Sequence, residues 1–162
     1  MGEYMTQVTK NFSLRELTRS ETARRHGVEN TPNEKEMQNI RKTAEQLEKI
    51  RDYVGKPIIV TSCFRSERVN KLVGGSPTSA HRFGSAADCD ALGMTSLAFA
   101  KKLIEMRDVG KLAFDQLILE FPERGDGAWV HIGFRHNSQQ RNQIMTATKK
   151  NGRTVYLPGL QV

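Results

Sequence analysis

The chain of 162 residues has only two cysteines, Cys63 and Cys89. Neither belongs to a CxxC pair, which removes the paired-cysteine metal motif. Both fall in apolar surroundings on expected strands, so they read as buried free thiols acting as small hydrophobes; spacing alone leaves a disulfide between them undecided. No apolar run approaches the length needed to cross a bilayer, so no integral membrane segment is expected. The opening residues, Met1-Gly2-Glu3-Tyr4-Met5-Thr6, lack the basic-then-apolar pattern of a secretory signal. The expectation is a protein made in the cytoplasm; if it acts outside, something else releases it. Like charges form no block, and no basic stripe is interleaved with aromatics, the pattern single-strand nucleic-acid binders use. There are no internal repeats.

What is present fits one folded domain. Hydrophobic residues make up 37% and charged residues 27% of the chain, a composition that is globular rather than disordered. The net charge of +7 favours anionic partners. Nucleic acid is one such partner and the anionic polymers of a bacterial wall are another; solubility alone is the plain alternative.

Residues 1–10 read as a flexible arm and residues 11–162 as a single domain. Ser13-Leu14-Arg15-Glu16 spells a capping box and starts a short helix, with a second short helix and a loop over 20–30. Thr31-Pro32-Asn33-Glu34 reads as the start of a long helix, with Thr31 as cap, Pro32 in the first position and Glu34 reaching back. Met37, Ile40, Ala44, Leu47 and Ile50 give this helix one apolar stripe, and Gly55 ends it. Pro57–Cys63 reads as a buried strand, Ser66 caps a helix through Leu72, and Gly74–Thr78 is a loop. A short strand over 86–90 follows, then a helix capped by Thr95 and stopped near Gly110. Phe114–Phe121 and Trp129–Phe134 read as strands joined by a polar turn, and Asn151-Gly152 marks a hairpin between Ile144–Lys149 and Thr154–Leu157. Residues 136–162 are either a terminal hairpin completing the sheet or a surface that touches the wall. Helices early and hairpin-joined strands late predict an α+β fold, a small antiparallel sheet with helices packed on one face.

The chemistry concentrates in Ser79–Asp88 and Trp129-Val130-His131. Two imidazoles and one carboxylate are the ligand set of a zinc site that keeps one position open for water. Gly84 between His81 and Asp88 argues against a continuous helix; a turn there and a strand reaching Asp88 aim both side chains at one point. Period-2 alternation puts Trp129, His131 and Gly133 on one face of their strand, and an antiparallel neighbour sets His131 opposite Asp88. The ligand set suits Zn2+ without excluding other transition metals.

Metal-assisted hydrolysis needs a base. Glu120 closes the apolar run Leu117-Ile118-Leu119, a placement that packing explains poorly, and is preferred to Asp126, which sits in a turn where aspartate is common. Arg65, just past the buried strand, suits a bidentate grip on a substrate carboxylate or charge stabilisation at a carbonyl oxygen. Trp129, beside His131, is counted with Arg65 as a substrate contact. Taken singly, each residue also has a structural reading: a satisfied histidine, a turn aspartate, a surface arginine. His26 and His136 lie in polar segments and read as solvated.

Ser-x-His-x6-Asp followed by Trp-x-His resembles the zinc D-alanyl-D-alanine carboxypeptidase family, which includes VanY-type carboxypeptidases and phage L-alanyl-D-glutamate endolysins. Phe12–Ser20, Asn30-Thr31-Pro32, Ser62–Asn70 and Phe114–Glu120 look like its phage and prophage branch, over roughly residues 11–135. The resemblance implies zinc on His81, Asp88 and His131, Glu120 as general base, Arg65 as substrate or oxyanion contact, and a peptidoglycan stem peptide as substrate. Ser79 matches a motif serine and is expected to orient a ligand or the substrate. Some members place the base three residues before the last histidine; that position here is Ala128, so the role falls to Glu120 on the adjacent strand. The expectation is therefore a monomeric zinc peptidase of the bacterial cell wall with no nucleic-acid partner. The rivals are a wall-binding or virion-associated protein that does not cut, and a basic nucleic-acid-binding protein.

Overall fold

The computed structural model describes residues 6–161. Polar caps set the helix boundaries. In α1 (Leu14–Thr18), Ser13 accepts from the Glu16 amide and the Glu16 carboxylate accepts from the Ser13 amide. In α2 (Glu21–His26), Ser20 is the cap. The long helix α3 (Glu34–Val54) starts later than expected. Asn33, not Thr31, is its cap, because Asn33 and Glu36 form the reciprocal box and satisfy two amides at once. Gly55, left-handed, ends α3 as expected. Ser66 caps α4 (Glu67–Leu72) and Thr95 caps α5 (Ser96–Asp108).

The strands β1 (Ile58–Ser62), β2 (Ala86–Ala91), β3 (Gln116–Glu120), β4 (Trp129–Gly133), β5 (Gln143–Lys150) and β6 (Arg153–Pro158) form one sheet in the order β1-β2-β4-β3-β5-β6. The α+β class holds, but the sheet is mixed rather than wholly antiparallel, because β5 pairs parallel to β3. The reason lies in the crossing segment 134–142. It leaves the end of β4, passes the start of β3 and docks on that strand's other edge, clamped by one carboxylate. Asp115 accepts from the Arg141 amide and guanidinium at 2.8–3.1 Å and forms an ion pair with Arg135 Nε at 3.1 Å. Arg141 holds the Asp115 carboxyl below its usual range, against the opposing effect of burial. Residues 143–158 are thus a hairpin of the sheet, and its turn residues Asn151 and Gly152 both have positive φ, as a type I′ turn demands.

The helices α3 and α5 cover one face of the sheet. Ile40, Ala44, Leu47 and Ile50 of α3, with Phe99 and Leu103 of α5, meet Cys89, Leu117, Leu119, Val130 and Ile132, all buried in one core. Phe12 and Val8 join that core, and Gln7 bridges to Ser13. Residues 7–10 therefore do not form the flexible arm expected over 1–10; residues 1–5 of that expectation lie outside the described residues. Cys63 and Cys89 are free and buried. Burial, with the Asp88 charge nearby, pushes Cys63 up to about 12 and Cys89 well above its ordinary value. An alkylating reagent at pH 8 is expected to modify neither thiol in the folded protein and both after denaturation, as read by mass spectrometry.

Candidate active site

The face of the sheet turned away from α3 and α5 carries a cleft of about 950 Å³. Opposed residues on neighbouring strands share a face, and the register sets Asp88 against His131 and His131 against Ile118. His81 arrives from outside the sheet, on a 3₁₀ turn (Ala80–Phe83) closed by Gly84. That turn is tied to α3. The buried Glu36, whose other oxygen completes the α3 cap, accepts from Arg82; Asn39 donates to Phe83 O and Thr43 donates to Gly84 O. Gly84 has φ 77°, and a Cβ there would stand 2.6 Å from Ile40 Cγ1 and 3.2 Å from Glu36 O. Gly84→Ala is accordingly expected to cost about 2–4 kcal/mol, from left-handed strain plus overpacking, as measured by denaturant unfolding.

His81 Nε2, His131 Nδ1 and Asp88 Oδ1 form a triangle with sides of 3.1, 3.1 and 3.2 Å. Atoms bound at about 2.0–2.2 Å to one tetrahedral ion stand roughly 3.3 Å apart, so the triangle matches a cation in size. The donor chemistry agrees. His81 Nδ1 lies 2.7 Å from Cys63 O, which can only accept, so Nδ1 carries the hydrogen and Nε2 of the neutral ring offers a lone pair. The residues present therefore fit a metal ion. His81 is 2% and Asp88 9% exposed. Burial resists ionisation of Asp88, but the imidazoles of His81 and His131 outweigh it and hold the carboxyl well below its usual range.

Glu120 is opposite Trp129, two residues along β3 from the row that carries His131 and so on the same face. Burial, reinforced by the Asp88 charge, pushes Glu120 up to about 7, against the pull of His131 and Arg65. A carboxyl poised there can take and return a proton near neutral pH. Asp126 is exposed on the segment Pro122–Gly127, outside the cleft lining. Arg65 lines the cleft and is fixed at its backbone, its amide donating to His81 O at 2.9 Å. Burial lowers its pKa, opposed by the Asp88 and Glu120 charges. Ser79 and Trp129 also line the cleft. The structure thus brings all seven expected residues, Arg65, Ser79, His81, Asp88, Glu120, Trp129 and His131, to one cleft.

Four further residues have site roles the sequence reading did not assign. Asn30 donates to Thr18 O and Phe64 O and accepts from the Ser66 amide at 2.7–3.0 Å, pinning both sides of Arg65. The buried Asn70 accepts from Arg65 Nη1 at 3.3 Å and donates to Ser76 O. His136 is not solvated as expected. It is half-buried beside the cleft, its Nε2 3.0 Å from Thr43 Oγ1, and burial pushes its pKa down. Tyr156, on β6, lines the cleft from the hairpin. Both asparagines were visible as residue types, but the Asn30 side-chain-to-backbone bonds span 12 to 36 positions and leave no periodicity to read.

The sequence model described as Peptidase M15 matches residues 10–118. The chain belongs to that peptidase family, whose members are metallopeptidases. No curated protein sequence matches it. The matched span holds Arg65, His81 and Asp88 but stops before Glu120 and His131, which enter the site through the pairing of β3, β4 and β2.

Proposed function

We propose that the protein is a zinc-dependent peptidase that hydrolyses a peptide bond in the peptidoglycan stem peptide, as a phage or prophage endolysin acting as a monomer. In this reading it is made in the cytoplasm and reaches the wall on release. The observation that carries the reading is the triangle of His81, Asp88 and His131 beside a half-buried carboxyl raised to about 7, in an open cleft. Zinc held by the three residues would supply Lewis acidity toward the scissile carbonyl and lower the pKa of water. Glu120 takes the proton from the attacking water and hands it to the leaving amine. Arg65, cationic and fixed by its backbone and by Asn70, steadies negative charge on the substrate oxygen. Ser79 and Trp129 border the substrate. The charge of +7 supports attraction to an anionic wall.

Incubation with purified sacculi tests the reading: new amino termini should appear, vanish with a chelator and return with zinc. Binding without cleavage would mean a wall-binding protein. A steeply salt-dependent DNA affinity indifferent to chelator would mean a nucleic-acid binder. Activity is also expected to rise with pH. Glu120 acts as a base only when ionised, so kcat/KM should fall as pH drops through its titration. That limb lies below 7, because a cation on the neighbouring ligands favours the carboxylate. A pH–rate profile checks it.

A further inference from the structure

The hairpin β5–β6 lies wholly beyond the matched family span, yet it extends the floor of the cleft. Its register is continuous with the site. Trp129 faces Glu120, Glu120 faces Ala147, and Ala147 faces Tyr156, so the four form one row across β4, β3, β5 and β6. The parallel row places Ile118 against Met145. Ala147 is fully buried, so Met145 and Tyr156 are the hairpin residues that reach the cleft. Tyr156 is 54% exposed and lines the cleft, so its ring is a wall rather than part of the core.

We propose that Tyr156 is the specificity-determining wall of a subsite for the leaving-amine side of the substrate, and that this subsite selects an internal peptide bond with about three residues beyond it. This rests on the peptidase reading above. Hydrolysis breaks the C–N bond, adds water's hydroxyl to the acyl carbon and adds a proton to the amine. Glu120 delivers that proton, so the leaving nitrogen stands beside Glu120 and the chain attached to it continues past this residue. Two strand spacings separate Glu120 from Tyr156, roughly 10 Å. An extended peptide covers that span in about three residues. The hairpin's lining on that side, Met145 and Tyr156, is apolar with one hydroxyl. Among the described lining residues none there is cationic: Arg135 and Arg141 are bonded to Asp115 at the opposite end of β3, and Arg65 follows β1. A lone terminal residue with a free carboxylate finds no bidentate partner beside Tyr156.

The test begins with mass analysis of the products from sacculi, which identifies the bond. Synthetic stem peptides containing that bond, with one or three residues after it, are then compared. The wild type is expected to favour the longer peptide by at least about tenfold in kcat/KM, chiefly through KM. Tyr156→Ala should abolish that preference and Tyr156→Phe should retain most of it. Calorimetry with the uncleaved longer peptide supplies a readout independent of turnover: Glu120→Gln should bind it about tenfold more tightly than Glu120→Gln with Tyr156→Ala. Release of single D-alanine residues as the sole product, equal use of both peptides, or an undiminished preference in Tyr156→Ala overturns the subsite while leaving the peptidase reading intact. A wild type that cuts no wall peptide overturns the peptidase reading itself. Tyr156 is exposed, and thermal melts of both variants identify any loss that is only unfolding.

Discussion

Glu120→Gln is expected to lower kcat/KM on wall peptide by about 10²–10⁴-fold while metal content stays at the wild-type level. The substitution keeps the shape of the side chain and removes only its capacity to exchange a proton. Glu120 is not among the three atoms of the cation triangle, so the metal site is left whole. Burial supports the size of the effect. A half-buried carboxyl raised to about 7 is a stronger base than a fully exposed one and still ionises at working pH. Product release measured by chromatography, beside metal analysis of the same sample, separates this result from a damaged site. Equal activity in the two proteins would remove Glu120 as the base.

The second large effect concerns the cation. In the wild type, zinc at about one hundred times its dissociation constant is expected to stabilise the fold by about 2.7 kcal/mol. For a domain of this size that raises the melting temperature by roughly 5–10 °C. His81→Ala is expected to lose the shift and to weaken zinc binding by roughly 100-fold or more. The same change removes a buried hydrogen bond to Cys63 O and leaves a small cavity, so its melting point without metal should also drop. Asp88→Asn is the gentler companion: it keeps the volume and removes the charge. Calorimetric melts with and without zinc, plus a chelator control, read all three proteins. A zinc shift of equal size in His81→Ala would remove the ligand triangle from the explanation.

Much of this site was legible before any coordinates because local chemistry wrote it. Alternation along Trp129-Val130-His131 turned His131 to the same face as Trp129, and antiparallel pairing then set it opposite Asp88. Gly84 marked the turn that frees His81 from a helix. Capping signals located α1, α4 and α5. The start of α3 was misplaced because two overlapping box-like spellings, Thr31 with Glu34 and Asn33 with Glu36, differ by two residues; only the second lets Glu36 also receive Arg82. The parallel pairing of β5 was illegible because strand direction depends on where a nine-residue crossing docks, and that docking hangs on Asp115 meeting two arginines 20 and 26 positions away. His136 looked solvated because its polar neighbours said nothing of Thr43, 93 positions distant. Tyr156 was hidden for the same reason: its place beside Glu120 is the product of two successive strand registers.

The backbone around Arg65 and His81 is cross-stitched. His81 Nδ1 donates to Cys63 O, and the Arg65 amide donates back to His81 O. Imidazole and guanidinium therefore ride on a common hinge. An ion held by His81 would restrain the ring further, and with it residues 63–65 and the arginine. Affinity for a carboxylate-bearing peptide and affinity for the ion should then rise and fall together, each ligand strengthening the other by the same factor.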